Sequence, residues 1–178
     1  LTNHSYFNLL GHDAGTLAGQ QVEIFADAIT QTDENSTPTG ALLPVEGTPF
    51  DLHRPRDFLE GLAMDHPQLT LGNGYDHNFV LHTAPVSPLS LAARVSGGGL
   101  VLECLTTQPG LQLYTANYLD GTPGKGGASY GPRSAFCLET QNWPDAVHHA
   151  SFPSSVLRAG EVYRHRTVYR VGMCPPLP

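Results

Sequence analysis

The stretch LAARVSGGGLVLECL, residues 91–105, decides the fold class of this chain. Apolar residues recur at every second position in its first half, at Leu91, Ala93 and Val95, and the alternation resumes after the glycine triplet 97–99. Side chains two residues apart lie on one face of a β-strand, and glycines permit the tight turn that joins two antiparallel strands. The stretch therefore predicts a β-hairpin.

The same period of two recurs along the chain and predicts further strands. They are expected near residues 22–26, 111–116, 136–141 and 162–171. Arginines alternate with other residues in the last of these, which is typical of a strand with one solvated face.

Helix is scarce in this pattern. The best candidate covers residues 55–64, with Pro55 in its first turn. The 19 glycines and 15 prolines indicate many turns between short strands. We therefore expect an all-β fold, a large and mostly antiparallel β-sandwich, with residues 1–178 forming a single domain.

Charge and cysteine content exclude several classes of partner. Sixteen acidic residues against nine basic ones give a formal charge of −7, which disfavours binding to nucleic acid. No apolar run is long enough to cross a bilayer, so no membrane association is expected. Three widely spaced cysteines, at 104, 137 and 174, offer no disulfide framework and favour a cytoplasmic setting. Whether the protein is a monomer or a dimer stays open.

Four segments combine polar and aromatic residues at close spacing: 3–8, 72–79, 109–117 and 136–145. This mixture suits a sugar, because hexose hydroxyls need carboxylate, amide and imidazole partners. The apolar C–H faces of a hexose also stack on aromatic rings, for which Tyr6, Tyr114 and Trp143 are candidates, although Trp143 fits a core position better.

Each candidate residue also has a purely structural interpretation. A histidine such as His4 is usually a hydrogen-bonded structural residue, and Asp76 lies in a turn-like context that aspartate favours. Glu139 is less ordinary, because glutamate is depleted from strands. In a strand, Glu139 would share a face with Cys137 and Gln141, opposite the apolar residues at 136 and 138.

Considered together, five motifs resemble the aldose 1-epimerase family. They are LTNHSYFNL at 1–9, TPFDL at 48–52, GYDHNF at 74–79, YTANYLDG at 114–121 and LETQNWPDA at 138–146, and they occur in the family's order. The chain begins with Leu1 inside the first motif, so we expect an N-terminal segment of the family to be missing from this sequence.

The resemblance implies a galactose-mutarotase-like β-sandwich that uses acid–base chemistry with no cofactor and no metal. It implies His4 as the general acid, Glu139 as the general base and Asp76 as a ligand of sugar hydroxyls. We expect His77 and Gln141 as further hydroxyl ligands. The implied substrates are free aldohexoses such as glucose and galactose.

Four other interpretations stay open on the sequence alone. The chain could be a non-catalytic carbohydrate-binding β-sandwich, or an inactive truncated epimerase that does not fold stably. A hexose 6-phosphate enzyme would need a basic pocket, whereas the late arginines are more typical of a solvated strand face. A metal-dependent isomerase is disfavoured, since the nine histidines show no HxH or HExxH spacing.

Overall fold

The structure is a computed structural model that describes residues 1–82 and 89–173. Twelve strands are present among these residues. In chain order they are β1 Gln21–Ile24, β2 Ala26–Thr32, β3 Pro38–Pro44, β4 Arg56–Asp57, β5 Asp76–Leu81, β6 Ser90–Gly97, β7 Leu100–Thr106, β8 Gly110–Tyr114, β9 Thr122–Pro123, β10 Ser129–Tyr130, β11 Cys137–Gln141 and β12 Thr167–Met173. The helices are α1 Phe58–Leu62 and α2 Pro67–Leu71, and Lys125–Gly127 form a 3₁₀ turn.

Ten of the strands form two five-stranded antiparallel sheets. The first sheet has the order β12-β7-β6-β1-β4, and the second has the order β11-β8-β5-β2-β3. Strands β9 and β10 form a separate two-stranded hairpin. The mostly antiparallel all-β fold predicted from the alternation is therefore confirmed. No helix among the described residues is both long and apolar enough to cross a bilayer.

Both sheets contribute to one apolar core. Its fully buried members include Val22, Val95 and Leu102 from the first sheet and Phe79, Leu111, Leu113 and Leu138 from the second. Full burial of a side chain of this size contributes about 1.5–3 kcal/mol. The core therefore fixes which face of each strand points inward, and the opposite face of the second sheet stays available for polar side chains.

The predicted hairpin is present as β6 and β7, which pair from Gly97 with Leu100 at the turn. Gly98 and Gly99 form the turn with φ of 58° and 75°, a left-handed conformation that glycine adopts without steric cost. The alternation predicted at 91–95 is interrupted, because a bulge between Leu91 and Ala93 leaves Leu91 only partly buried.

The predicted helix at 55–64 is too long at both ends. Arg56 and Asp57 pair with β1 and form β4, so α1 begins at Phe58. The Asp57 carboxylate accepts a hydrogen bond from the Leu59 N–H at 2.8 Å and caps the helix. Helix α2 was not predicted, although its first residue is Pro67 and proline favours the first helical turn.

The strand predicted at 162–171 is shifted toward the C-terminus. The observed strand β12 begins at Thr167 and pairs with β7, whereas Val162 is exposed and lies outside any strand. Its solvated face is confirmed at Arg170, which contacts Glu103 on β7. The paired strand β7, and not the local alternation, sets where β12 begins.

Candidate functional site

Strand β11 separates an apolar face from a polar one. Leu138 and the preceding Phe136 are buried in the core, while Glu139 lies on the opposite face of the strand and is 8% exposed. Gln141 shares the face of Glu139. The alternation predicted for residues 136–141 is therefore present.

Neighbouring strands place further polar groups beside Glu139. On β8, Gln112 pairs with Glu139, and Tyr114 pairs with Cys137. Tyr114 also pairs with Asp76 on its other side, at the start of β5. Directly opposed residues on antiparallel strands have adjacent side chains, so this register aligns Asp76, Tyr114 and Cys137 across the sheet.

The N-terminal segment brings a histidine to the same face. Phe7 and Phe136 exchange two backbone hydrogen bonds of 2.8 and 2.9 Å, and the Thr2 hydroxyl donates to the Thr140 carbonyl at 2.9 Å. Between these two attachments, His4 Nε2 lies 3.3 Å from Glu139 Oε1.

These groups border a cavity of about 320 Å³, close to the lower limit for ligand pockets. Its lining consists of His4, Tyr6, Asp76, Gln112, Tyr114, Tyr118, Glu139, Gln141 and Pro144. The ring centroid of His4 lies 5.0 Å from that of Tyr6 and 5.7 Å from that of Tyr114. An imidazole, two carboxyl groups, two amides and three tyrosines thus border one concave surface.

Burial changes the acidity of both carboxyl groups. Loss of water raises the pKa of Glu139 to about 7, with His4 opposing the rise and Asp76 adding to it. Burial also raises the pKa of Asp76, against the hydrogen bond from Gln112 and the charge of His4. A carboxyl group that titrates near neutrality can accept or release a proton under ordinary conditions.

A chain of amide hydrogen bonds runs from Asp76 across the polar face of the sheet. Gln112 Nε2 donates to Asp76 Oδ1 at 2.8 Å, and Gln141 Nε2 donates to Gln112 Oε1 at 3.2 Å. Gln141 also donates to Asn78 at 3.3 Å. The amide positions are therefore held by mutual hydrogen bonds before any ligand enters.

The structure places four of the five predicted site residues around the cavity. The fifth, His77, lies elsewhere, so its prediction as a sugar ligand is corrected. His77 is 1% exposed, and its ring centroid lies 4.7 Å from that of Phe50 in the core. Burial lowers its pKa to about 4, and its Nδ1 accepts the backbone N–H of Asp76 at 3.1 Å. Adjacent residues of a strand face opposite sides, so with Asp76 at the cavity His77 cannot bind sugar there.

Three residues of the cavity lining were not predicted as site residues: Gln112, Tyr118 and Pro144. The alternation at 111–116 already placed Gln112 on the face of Tyr114, but only the strand register shows that this face meets Glu139. Trp143 lies away from the cavity lining, and its indole N–H donates to the Pro109 carbonyl at 3.0 Å. Trp143 is only partly buried and lies outside the apolar core, so neither the predicted sugar platform nor the predicted core position is present at this residue.

Within residues 1–82 and 89–173, one group of side chains has the spacing to hold a metal ion. Ligand atoms of His4, Cys137 and Glu139 all lie within 4.8 Å of one another.

Comparison with known proteins gives one consistent family. The family model described as aldose 1-epimerase matches residues 1–170. Galactose mutarotase of Mus musculus is 46% identical over 171 residues, which are 96% of this chain and 48% of that protein. Aldose 1-epimerase of Escherichia coli is 34% identical over 174 residues, 96% of this chain and 49% of that protein.

Solved structures agree with the sequence comparisons. The GalM/aldose epimerase homologue of C. elegans superposes with a TM-score of 0.85 at 30% identity, covering 98% of this chain and 51% of that chain. Galactose 1-epimerase of Lactobacillus acidophilus superposes with a TM-score of 0.79 at 28% identity, covering 97% and 48%. The chain spans about half the length of the relatives it matches.

Proposed function

This chain belongs to the aldose 1-epimerase family, and we propose that it interconverts the α and β anomers of free hexoses such as glucose and galactose. The observation that carries the proposal is the contact between His4 and Glu139, 3.3 Å apart at the edge of one cavity. We propose the chain as one partial β-sandwich domain of this family, acting on the free sugar.

Anomer exchange needs two proton transfers at neighbouring oxygens. The hydroxyl on C1 must lose a proton and the ring oxygen must gain one before the pyranose ring opens. Both oxygens are bonded to C1, so an acid and a base that lie close together can reach both and transfer the two protons. Each well-placed group contributes about 10²–10⁴-fold in rate.

We assign the base to Glu139 and the acid to His4. The pKa of Glu139, raised by burial to about 7, makes its carboxylate a stronger base than an exposed glutamate while part of it stays ionised at neutral pH. Ionised Glu139 accepts the C1 hydroxyl proton while protonated His4 donates to the ring oxygen, and the C1–O5 bond breaks to give the aldehyde. Rotation about C1–C2 exposes the other face of the aldehyde, and the ring closes with the two groups in exchanged roles. The C1–O5 bond breaks and re-forms with no change of oxidation state, so acid–base catalysis suffices and this chemistry calls for neither a cofactor nor a metal.

The remaining lining residues orient the sugar. Asp76 and Gln141 present acceptor and donor atoms for hydroxyls distant from C1, and the hydrogen bond from Gln112 fixes the Asp76 carboxylate. Tyr6 and Tyr114 offer ring surface for the C–H faces of a hexose. We propose a cytoplasmic location, because Cys104 and Cys137 are free thiols and the sequence offers no disulfide framework.

The test is polarimetry on freshly dissolved α-D-galactose and α-D-glucose, with the spontaneous rate subtracted. We expect acceleration by the unaltered chain and a loss of at least about 10²-fold in kcat for Glu139→Gln, which removes the base and nearly preserves shape. The control is Glu46→Gln, an exposed glutamate outside the cavity lining, which should keep the full rate. Near-normal mutarotation by Glu139→Gln would refute the assignment of the base.

One observation favours a second candidate, a carbohydrate-binding β-sandwich without catalysis. The side chain of His4 is 49% exposed, so the cavity is open to solvent on its side. Sugar binding by calorimetry together with no acceleration of mutarotation would support this candidate. A noncooperative thermal transition would instead indicate a truncated chain that does not fold stably.

A further inference from the structure

Cys137 is a buried thiol beside the proposed acid and base, and the proposed reaction does not use it. The residue is fully buried, on the same face of β11 as Glu139. Its Sγ lies 3.4 Å from His4 Nδ1. An imidazole therefore lies in contact with a thiol through one ring nitrogen and with a carboxylate through the other.

The three side chains supply a ligand set that suits a thiophilic divalent cation. Imidazole nitrogen, thiolate sulfur and carboxylate oxygen are the groups that bind Zn²⁺ in proteins, and tetrahedral ligands of Zn²⁺ lie roughly 3.3–3.7 Å apart. The contacts of His4 with Cys137 and Glu139, at 3.4 and 3.3 Å, lie in this range.

The three side chains must shift slightly before all of them can contact one ion. A single cation takes only one nitrogen of His4, whereas the thiol and the carboxylate lie against different ring nitrogens. The His4 side chain is 49% exposed, so its ring can turn without displacing the core. All three ligand positions already lie within 4.8 Å of one another.

The electrostatics of the cavity favour a cation. Asp76 and Glu139 both border it, and no lysine or arginine occurs among the described residues that line it. Burial, with the charges of Glu139 and Asp76, raises the pKa of the Cys137 thiol, so without a metal it stays protonated. A bound divalent ion reverses that preference, because its charge offsets the carboxylates and stabilises the thiolate.

We propose that His4, Cys137 and Glu139 form a three-ligand site for Zn²⁺, with the fourth position open toward the cavity for water or a sugar hydroxyl. On binding, the thiol S–H bond breaks, the sulfur keeps the electron pair for the metal, and the proton goes to solvent, with no change of oxidation state. Because the ion occupies both the proposed acid and the proposed base, Zn²⁺ inhibits mutarotation. The inhibition rests on the proposed function, whereas the binding does not.

Co²⁺ is the probe for binding, because a Co²⁺–thiolate bond gives a charge-transfer absorption that other ligands do not. All variants carry Cys174→Ala, which removes a thiol outside the described residues. We expect one equivalent of Co²⁺ with this absorption, displaced by Zn²⁺. The absorption should be lost in Cys137→Ala and kept in the matched control Cys104→Ala, another fully buried cysteine.

Affinity and inhibition complete the test. With a chromophoric chelator as competitor, Cys137→Ala should bind Zn²⁺ at least about tenfold more weakly than the Cys104→Ala control. Mutarotation by the Cys104→Ala protein should fall as Zn²⁺ is added and recover with a chelator, whereas any activity of Cys137→Ala should be less sensitive to Zn²⁺.

The outcomes separate the two proposals. Equal Zn²⁺ affinity in the two alanine variants, or Co²⁺ binding without the thiolate absorption, would overturn the metal site. Inhibition that persists unchanged in Cys137→Ala would also overturn it. Cys137-dependent metal binding by a chain that shows no mutarotation would support the metal site and count against the proposed function alone.

Discussion

The pair of His4 and Glu139 and the cluster of Asp27, Asp51 and His53 contain the same chemical groups in different surroundings. His53 lies 2.9 Å from Asp27 and 2.8 Å from Asp51, contacts at least as short as the 3.3 Å between His4 and Glu139. The side chain of Asp27 is 74% exposed, whereas that of Glu139 is 10% exposed.

The pKa values of the carboxyl groups shift in opposite directions in the two regions. Hydrogen bonds from His53, and then from His82, lower the pKa of Asp27, and that of Asp51 is lowered mainly by His53. Burial instead raises the pKa of Glu139 to about 7, although an imidazole is adjacent. At Glu139 the loss of hydration raises the pKa more than the neighbouring imidazole lowers it. Desolvation, and not the presence of a partner, therefore distinguishes a reactive carboxyl group from a structural one.

Cavity size does not distinguish the two regions in the same way. The cavity beside His53 has a volume of about 690 Å³, larger than the 320 Å³ beside Glu139. The larger cavity is bordered by Asp27 and Asp51, whose pKa values are lowered, so they are weaker bases than an ordinary carboxylate. We therefore place the chemistry in the smaller cavity, with its buried glutamate and its tyrosine walls.

The largest expected difference between the regions is in kcat. His4→Asn removes the proton donor and should lower kcat by about 10²-fold or more, whereas His53→Asn should change it by less than about twofold. Polarimetry on the two variants measures both values. If His4→Asn changed KM alone, His4 would be a binding residue, and equal losses in both variants would remove the distinction between the regions.

A smaller effect is expected at the two aspartates. Asp76→Asn removes a charged hydrogen-bond acceptor and should raise KM about tenfold, since such bonds contribute about 1.5–3 kcal/mol. It also removes a charge that raises the pKa of Glu139, so the acidic limb of kcat/KM should move to lower pH. Asp51→Asn is the control and should change neither quantity. An acidic limb at the same pH in Asp76→Asn would show that Asp76 does not affect the pKa of Glu139.

The smallest effect concerns stability in the exposed cluster. The pKa values of Asp27 and Asp51 are lower in the folded protein than in the unfolded chain. These groups therefore stabilise the fold at pH values above their unfolded pKa, and this stability is lost as the pH falls through their folded pKa. Asp51, and then Asp27, raise the pKa of His53. His53 therefore stabilises the fold at pH values below its unfolded pKa, and this stability is lost as the pH rises through its folded pKa.

His53→Asn should therefore lower the free energy of unfolding most near pH 5–6, by no more than about 1 kcal/mol because the cluster is exposed, and least near pH 9. Urea denaturation across this range measures the change, with His12→Asn, an exposed histidine elsewhere, as the control. A loss of stability that grew with rising pH would contradict the stabilising role of protonated His53.

Particular residues show how far the sequence pattern reached. The alternation at 136–141 placed Glu139 and Gln141 opposite Leu138, and the structure has this arrangement, because Cβ atoms alternate in any strand. The same rule, applied to 75–79, already separated His77 from Asp76, so proposing both as sugar ligands contradicted the pattern. The helix at 55–64 failed because strand pairing at Arg56 overrode local preference.

The sequence by itself determined the fold class, the hairpin at 91–105 and the side of each strand that carries polar groups, since all three follow from the local period of two and from glycine in the turn. Only the tertiary structure decided that Gln112 lies opposite Glu139, and that the pairing of Phe7 with Phe136 brings His4 to Glu139. Such contacts join positions far apart in the chain. They depend on strand order and register, which the alternation within one segment does not specify. The raised pKa of Glu139 has the same origin, because burial raises it and the residues that border its cavity come from several distant segments.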